Sequence, residues 1–129
     1  MKRESWLPAL PEGAPQARAI VREFAAELRL DGETTWELLL ATTEAFANAV
    51  EHGSPCEAQG ILLRLEGEDA RIGVEVRDCG GSFAHGARTS KPSGHGGRGI
   101  PLILALTDQL EILPGPGATV VRFEKRVAA

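Results

Sequence analysis

The chain has 129 residues, of which 43% are hydrophobic and 25% charged, and its formal net charge at pH 7 is −4. A chain of this length is expected to form one domain with a buried core, spanning residues 1–129. The negative charge argues against binding to nucleic acid or to an anionic membrane surface. No apolar run reaches the roughly 20 residues of a transmembrane helix.

The first half of the chain is predicted to contain a short arm and two helices. The Pro-rich residues 1–13 predict a short strand or an extended arm. A first helix is predicted over residues 15–30 and is ended by Asp31 and Gly32. A second runs from a capping box at residues 34–37 to about His52, and Gly53 stops it. The predicted core faces are Ala17, Ile20, Val21, Phe24 and Leu28 in the first helix, and Trp36, Leu39, Leu40, Thr43, Ala47 and Val50 in the second.

The second half is predicted to contain four strands and a third helix. The strands are predicted at residues 60–66, 70–78, 110–113 and 118–126. Turns at residues 67–69 and 114–117 join them in pairs, and a loop over residues 85–99 leads into a helix at about residues 100–109. The order of elements favours an α+β two-layer sandwich, with a mainly antiparallel mixed sheet and three helices on one face.

The second helix carries an unusual polar stripe. Glu44, Asn48 and His52 are spaced i, i+4, i+8, so they follow one side of the helix. A helix with an apolar core face has no packing reason to carry an acid, an amide and an imidazole in a row. Taken alone, His52 is interpreted as a structural residue favoured by the helix dipole at a C-terminus.

Strand parity places two further polar residues on the helix-facing side of the sheet. Asp78 has the parity of Val74 and Val76, and Thr119 has the parity of Val121. An unpaired buried polar group costs roughly 1–3 kcal/mol, so both side chains need partners. A planar ligand with donors and acceptors on its edge would supply them.

The loop before the third helix is basic and rich in glycine. Residues 84–98 contain Arg88, Lys91 and Arg98 and no acid, in a chain that is acidic overall. Glycines let backbone N–H groups approach an anion closely, and a helix N-terminus adds a partial positive charge. This pattern is typical of a polyphosphate site.

Together these features predict a nucleotide site, with the base against Asp78 and Thr119 and the phosphates under the loop. Asn48 could ligate Mg²⁺ through its amide oxygen, with water and phosphate oxygens completing the octahedron. Glu44, one turn earlier, is placed to take a proton from an attacking hydroxyl group or water.

Four segments, in this order, resemble the boxes of a known family. EAFANAVEH (44–52) resembles the N box of the GHKL ATPases, which have the Bergerat fold. RDCGGSF (77–83) resembles their D-x-G-x-G-F box, and GGRGIPLILALTD (96–108) their second glycine box. GATVVRF (117–123) is similar to their closing G-T-x-V strand. The subgroup that the chain resembles most is the bacterial anti-sigma factor serine kinases of the RsbW type.

The resemblance implies a role for each matching residue. It makes Glu44 the general base, Asn48 the Mg²⁺ ligand and Asp78 the adenine contact, with Thr119 supporting the adenine through a hydrogen bond. The other nucleotide-binding positions would be Gly80, Ser82, Gly96, Gly97, Arg98, Gly99 and Ile100. It also implies ATP and Mg²⁺ as cofactors, binding to a sigma factor, phosphorylation of a serine or threonine on a small anti-anti-sigma protein of the STAS type, and homodimerisation.

Two positions depart from the family pattern. Residue 82 is serine where the family box usually has its second glycine. Pro101 is expected in the first turn of the third helix, where it would remove one phosphate-facing N–H. These departures keep a second function open: a regulatory module of the same fold that grips a protein partner without catalysis. A detached histidine-kinase ATPase domain is a weaker third interpretation.

Three further expectations concern location and assembly. Cys56 and Cys79 have neither a C-x-x-C nor a metal-binding spacing, so they are predicted to be free thiols in a reducing compartment. The N-terminal residues lack the long apolar stretch of a signal peptide, so the expected location is the cytoplasm. Trp6, Leu7 and Leu10 are expected to be exposed apolar residues available to a dimer.

Overall fold

The computed structural model describes residues 1–52, 60–68, 70–79, 96–115 and 118–127. Its strands are β1 (Lys2–Leu7), β2 (Ile61–Glu68), β3 (Arg71–Asp78), β4 (Gln109–Gly115) and β5 (Ala118–Arg126). Its helices are α1 (Gly13–Glu27), α2 (Gly32–His52) and α3 (Gly96–Leu106). The chain order of these described elements is β1-α1-α2-β2-β3-α3-β4-β5.

The five strands form one sheet with the spatial order β1-β2-β3-β5-β4. All four pairings of the described strands are antiparallel, so the parallel component of the predicted mixed sheet is not among them. Helix α1 contacts β1 and β2, α2 contacts β3, and α3 contacts α2 and β4. The predicted α+β sandwich, with an antiparallel sheet under three helices, is confirmed.

The core lies between the helices and one face of the sheet. On β3 the side chains of Ile72, Val74 and Val76 are each 1% exposed, as period-2 alternation on a half-buried strand requires. Glycine at position 67 allows α1 to approach the sheet, because a Cβ atom there would lie 2.8 Å from the Leu28 side chain. These contacts fix the helix layer over the centre of the sheet.

The predicted core face of α2 is only partly right: Leu39 and Val50 pack against the core, but they lie at its edge. The side chains that α2 buries fully or nearly so are Leu38, Ala41, Thr42, Ala45, Phe46, Asn48 and Ala49. Trp36, which was expected in the core, is 59% exposed. Helix α2 packs between α1 and α3, so it is apolar on several sides. Hydrophobic periodicity alone therefore does not identify the side that is most buried.

The predicted start of α2 is also wrong. Asp31 does not simply end the first helix, because its carboxylate accepts a hydrogen bond of 2.7 Å from the backbone N–H of Thr34. Its carbonyl oxygen accepts one of 2.8 Å from the Thr35 hydroxyl. Asp31 is thus the N-cap of a helix that begins at Gly32, and hydrogen bonding by Thr34, chiefly from its backbone N–H, lowers the pKa of the Asp31 carboxyl group.

Several other boundaries differ from those predicted. Strand pairing continues to Glu68 opposite Arg71, so the turn predicted at residues 67–69 lies too early. The first helix ends at Glu27 rather than near residue 30, and α3 runs over Gly96–Leu106 rather than residues 100–109. Strand β4 is longer than expected, and β5 has the predicted limits.

The structure also corrects two expectations about cysteines and exposed residues. Cys79 is disulfide-bonded, so the prediction of a free thiol is wrong for it, and cysteine usage no longer argues for a reducing compartment. Cys56 lies outside the described residues. Leu7 is only 3% exposed and belongs to the core, whereas Trp6 and Leu10 are exposed as predicted. In the described part of the chain, no helix has the length and apolar character needed to cross a membrane.

Candidate nucleotide site

The polar stripe of α2 lies on the side of the helix that faces α3. Glu37, which is seven residues before Glu44 and therefore on the same side, pairs with Lys125 at 2.8 Å. The Lys125 ammonium group also donates a hydrogen bond of 2.9 Å to the Leu106 carbonyl oxygen at the C-terminal end of α3. Each step of four residues along a helix rotates the side chain by about 40° round the axis. Successive members of the stripe therefore point progressively further toward the protein interior. Glu44 is accordingly half-buried and Asn48 is 5% exposed.

Asn48 is the most unusual member of this stripe. Buried amide groups normally have hydrogen-bond partners. Within the described part of the chain, however, no hydrogen bond from the Asn48 side chain is found. Its amide oxygen is of the type that binds hard cations, and it lies one turn from the carboxylate of Glu44. The helical backbone of His52 is described, but its side chain lies outside the described set.

On the sheet, Asp78 and Thr119 lie where strand parity places them. Asp78 on β3 is directly opposite Thr119 on β5 in the strand register. The two side chains are 2% and 1% exposed and face the helices. A carboxylate acceptor and a hydroxyl group side by side can read the edge of a planar heterocycle.

The backbone of the second glycine segment forms the first turn of α3. Helix α3 begins at Gly96, so the turn includes Gly97, Arg98 and Gly99, whose side-chain positions are outside the described set. The first N–H groups of a helix have no intrahelical partner and can face an anion. Ile100 is half-buried. Gly80 and Ser82 fall outside the described residues, so their predicted contacts stay predictions.

Pro101 was expected in the first turn of the third helix, and this expectation is wrong. Because α3 begins at Gly96, Pro101 is its sixth residue and not part of its first turn. The N–H that proline lacks would have bonded to a carbonyl within the helix, and would not have faced a phosphate. The cost of this proline therefore falls on the helix and not on the anion-facing end.

Sequence reasoning missed three polar residues of α2 and β5. Lys125 has the parity of Phe123 on β5, so a cation on the helix-facing side could have been noticed, and Glu37 is its partner. Thr42 could not have been singled out. Its hydroxyl group is fully buried, and no hydrogen-bond partner for it is present in the described structure.

The opposite face of the sheet carries paired charges. One ladder crosses all five strands through ion pairs between neighbours, formed by Glu4, Arg64, Glu75, Arg122 and Glu111. The hydrogen bond and charge of Glu75 raise the pKa of Arg122. A depression of about 230 Å³ lies over this face around Gly73. Because its charges are already paired, it is not the candidate site.

Comparison with known proteins identifies the class to which this fold and site belong. Residues 7–125 match the family described as the histidine kinase-like ATPase domain, and the chain belongs to that family. The chain is 29% identical, over 91% of its length and 81% of the relative's, to serine-protein kinase RsbW of Bacillus pumilus. It is 28% identical, over 86% of its length and 83% of the relative's, to the anti-sigma F factor of Caldanaerobacter subterraneus subsp. tengcongensis.

Solved structures show the same fold. The crystal structure of the RsbU and RsbW domains of Rv1364c from Mycobacterium tuberculosis superposes with a TM-score of 0.80 at 24% identity. That match covers 100% of this chain and 33% of the other. The histidine kinase domain of the Erythrobacter litoralis EL346 blue-light activated kinase gives a TM-score of 0.57 at 16% identity, over 93% of this chain and 61% of the other. At these identities the likeness establishes the fold alone.

Proposed function

We propose that this protein is an ATP-binding anti-sigma factor with serine/threonine protein kinase activity. The family, and relatives named as a serine-protein kinase and an anti-sigma factor, support this role. The structural observation that carries it is the nearly buried side chain of Asn48 on α2, one turn after Glu44. A bound Mg·ATP would give that amide the partner that the described residues do not provide.

The nucleotide would lie between α2, α3 and the β3–β5 part of the sheet. The Asp78 carboxylate would accept a hydrogen bond from the adenine amino group, and Thr119 would support that contact. Asn48 fits a magnesium site because its amide oxygen is a hard ligand. The described residues contain no cluster of three or more His, Cys, Asp and Glu side chains suited to a metal, so phosphate oxygens would complete the coordination. The metal would supply charge neutralisation at the phosphates.

Glu44 would act as the general base. Its carboxylate is half-buried, one turn before Asn48, and no ion pair or hydrogen bond engages it within the described residues. It would accept the proton of a serine or threonine hydroxyl group as that oxygen attacks the terminal phosphate. Glu44→Gln is expected to keep Mg·ATP affinity and to lose phosphoryl transfer. Equal loss of affinity and transfer would show that Glu44 is structural.

The protein partners would be a sigma factor, which the protein sequesters, and a small anti-anti-sigma protein of the STAS type, which it phosphorylates. The name of the anti-sigma F factor supports the first partner, and the family resemblance supports both. Such a role implies a cytoplasmic location, which stays a prediction. Homodimerisation also stays a prediction, and the exposed side chains of Trp6 and Leu10 are candidates for that contact.

A non-catalytic module of the same fold is the second candidate function. Ser82 in place of a glycine favours it, because a side chain in that box can crowd the nucleotide. The deciding experiment incubates the protein with radiolabelled Mg·ATP and candidate STAS-domain proteins. Label on a serine or threonine of one partner, absent with Glu44→Gln, supports the kinase. Tight partner binding without transfer supports the module.

A further inference from the structure

One lysine links the C-terminal end of helix α3 to both α2 and β5. The Lys125 ammonium group donates a hydrogen bond to the Leu106 carbonyl oxygen at 2.9 Å and pairs with the Glu37 carboxylate at 2.8 Å. The two side chains are only 14% and 24% exposed. Lys125 therefore joins α2, α3 and β5 through a single buried charge.

Helix α3 also packs against α2, and its side chains Ile100, Ile103 and Leu106 contact the core. Of its side chains in the described set, only Ile103 is fully buried, while Pro101 and Leu104 are exposed. The segment that follows α3 is also tied to β5, because the Asp108 N–H donates to the Glu124 carbonyl oxygen at 2.9 Å. The Asp108 carboxylate in turn accepts a hydrogen bond of 2.6 Å from the Arg126 N–H. These hydrogen bonds anchor the segment that follows α3 to β5.

The chemistry of this contact suits a helix end. The last carbonyl groups of a helix lack intrahelical partners and carry partial negative charge. A lysine that binds one of them supplies the missing hydrogen bond and offsets the negative charge. The ion pair with Glu37 is largely shielded from water, so it is less screened than the exposed pairs of the sheet. Helix α3 is short, about 16 Å at 1.5 Å per residue, so a tilt at one end displaces the other.

We infer that Lys125 is a positioning residue for the phosphate end of the nucleotide. Lys125 fixes the C-terminal end of α3 against Glu37 on α2. Because Asn48 is also on α2, this link sets the position of the first turn of α3 relative to Asn48. The adenine residues Asp78 and Thr119 are held opposite each other by the backbone pairing of β3 and β5, to which the Lys125 side chain does not contribute. The inference rests on the proposed nucleotide site.

The test separates the phosphate end from the adenine end. The affinities of the purified protein for Mg·ATP and for adenosine are measured by calorimetry for the wild type and for Lys125→Met, which keeps the apolar stem. Lys125→Met is expected to weaken Mg·ATP binding roughly five- to tenfold and to leave adenosine binding unchanged. Lys125→Arg should restore most of the loss. Lys2→Met, which removes a lysine with a 72% exposed side chain from an outer-face ion pair, is the matched control and should change neither affinity.

Three results would overturn the inference. Unchanged Mg·ATP affinity in Lys125→Met would show that the link does not position α3. An equal fall for both ligands would show a merely structural role. If Lys125→Met does not fold, Glu37→Gln provides the same comparison, since it removes one half of the ion pair. A wild type that binds neither ligand would refute the nucleotide site itself, and the inference with it.

Discussion

Asp78 at the end of β3 lies directly opposite Thr119 near the start of β5, and both side chains are almost completely buried under the helices. A carboxylate in such a place is costly unless something hydrogen-bonds to it. Across the helix layer, Asn48 of α2 is another buried polar group, on the side that faces α3. A carboxylate, a hydroxyl group and an amide are the groups that the proposed site would use to bind an adenine nucleotide and its metal.

Asn48→Ala is expected to weaken nucleotide binding only when magnesium is present. Removing the amide oxygen takes away one metal ligand, so affinity for ATP with Mg²⁺ should fall about tenfold or more. Affinity for ATP in EDTA should change little. Calorimetric titration under both conditions measures this, with Gln109→Ala on the exposed edge strand β4 as the control. A loss of the same size in EDTA would mean that Asn48 contacts the nucleotide or the core, and not the metal.

Thr42→Val is expected to stabilise the protein by about 1 kcal/mol. The Thr42 hydroxyl group is fully buried without a hydrogen-bond partner in the described structure, and valine has nearly the same shape without the desolvation cost. The neighbouring Thr43→Val is the matched control, because the Thr43 hydroxyl donates to the Leu39 carbonyl oxygen at 2.7 Å. Urea unfolding of both variants gives the comparison. A destabilised Thr42→Val would show that the hydroxyl group has a partner in the folded protein.

Asp31→Asn is expected to reveal a pH-dependent helix cap. Hydrogen bonds from Thr34 lower the pKa of Asp31 in the folded state, so the carboxylate adds stability above its ordinary pKa. That contribution is lost as pH falls through the lowered pKa, so the difference between wild type and Asp31→Asn should shrink in acid. Unfolding by urea at neutral and acidic pH measures it. Glu12→Gln is the control, since Glu12 is the N-cap of α1 and its side chain makes no capping hydrogen bond. A difference independent of pH would exclude the charged cap.

Pro101→Ala is expected to stabilise the protein by up to about 3 kcal/mol, the cost of proline in a helix interior, and to leave Mg·ATP affinity unchanged. Pro101 is the sixth residue of α3, where proline removes an intrahelical hydrogen bond. Pro15→Ala is the control: Pro15 lies in the first turn of α1, where proline costs nothing, so its replacement should not stabilise. Thermal unfolding and ligand titration provide both readouts. A fall in Mg·ATP affinity would mean that the proline shapes the phosphate end of the site.

The strands of this fold were easier to predict than its helix faces. Strand parity has a period of two, so Asp78 and Thr119 could be assigned to the buried face from their neighbours alone. Helix α2 is flanked by α1 and α3 and is apolar on several sides, so its periodicity favoured the side of Trp36 although the core side is that of Ala45. Only the packing of neighbouring elements decides between such sides.

The link at Lys125 could not be read from local pattern. Glu37 and Lys125 are 88 positions apart in sequence, and they meet only because β5 runs beside β3 under α2. In the sequence, Glu37 fits a capping box at the start of the second helix, which is a local role and not a long-range ion pair. Contacts of this kind depend on the whole topology, which no short segment encodes.

The most direct test of the account is a calorimetric titration of wild type and Asp78→Asn with Mg·ATP. The wild type is expected to bind at micromolar strength, about −8 kcal/mol, and Asp78→Asn is expected to lose roughly tenfold to a hundredfold in affinity. Glu111→Gln, which changes an exposed carboxylate on the outer face, should bind as the wild type does. No binding by the folded wild type, or equal binding by folded Asp78→Asn, would contradict the nucleotide site.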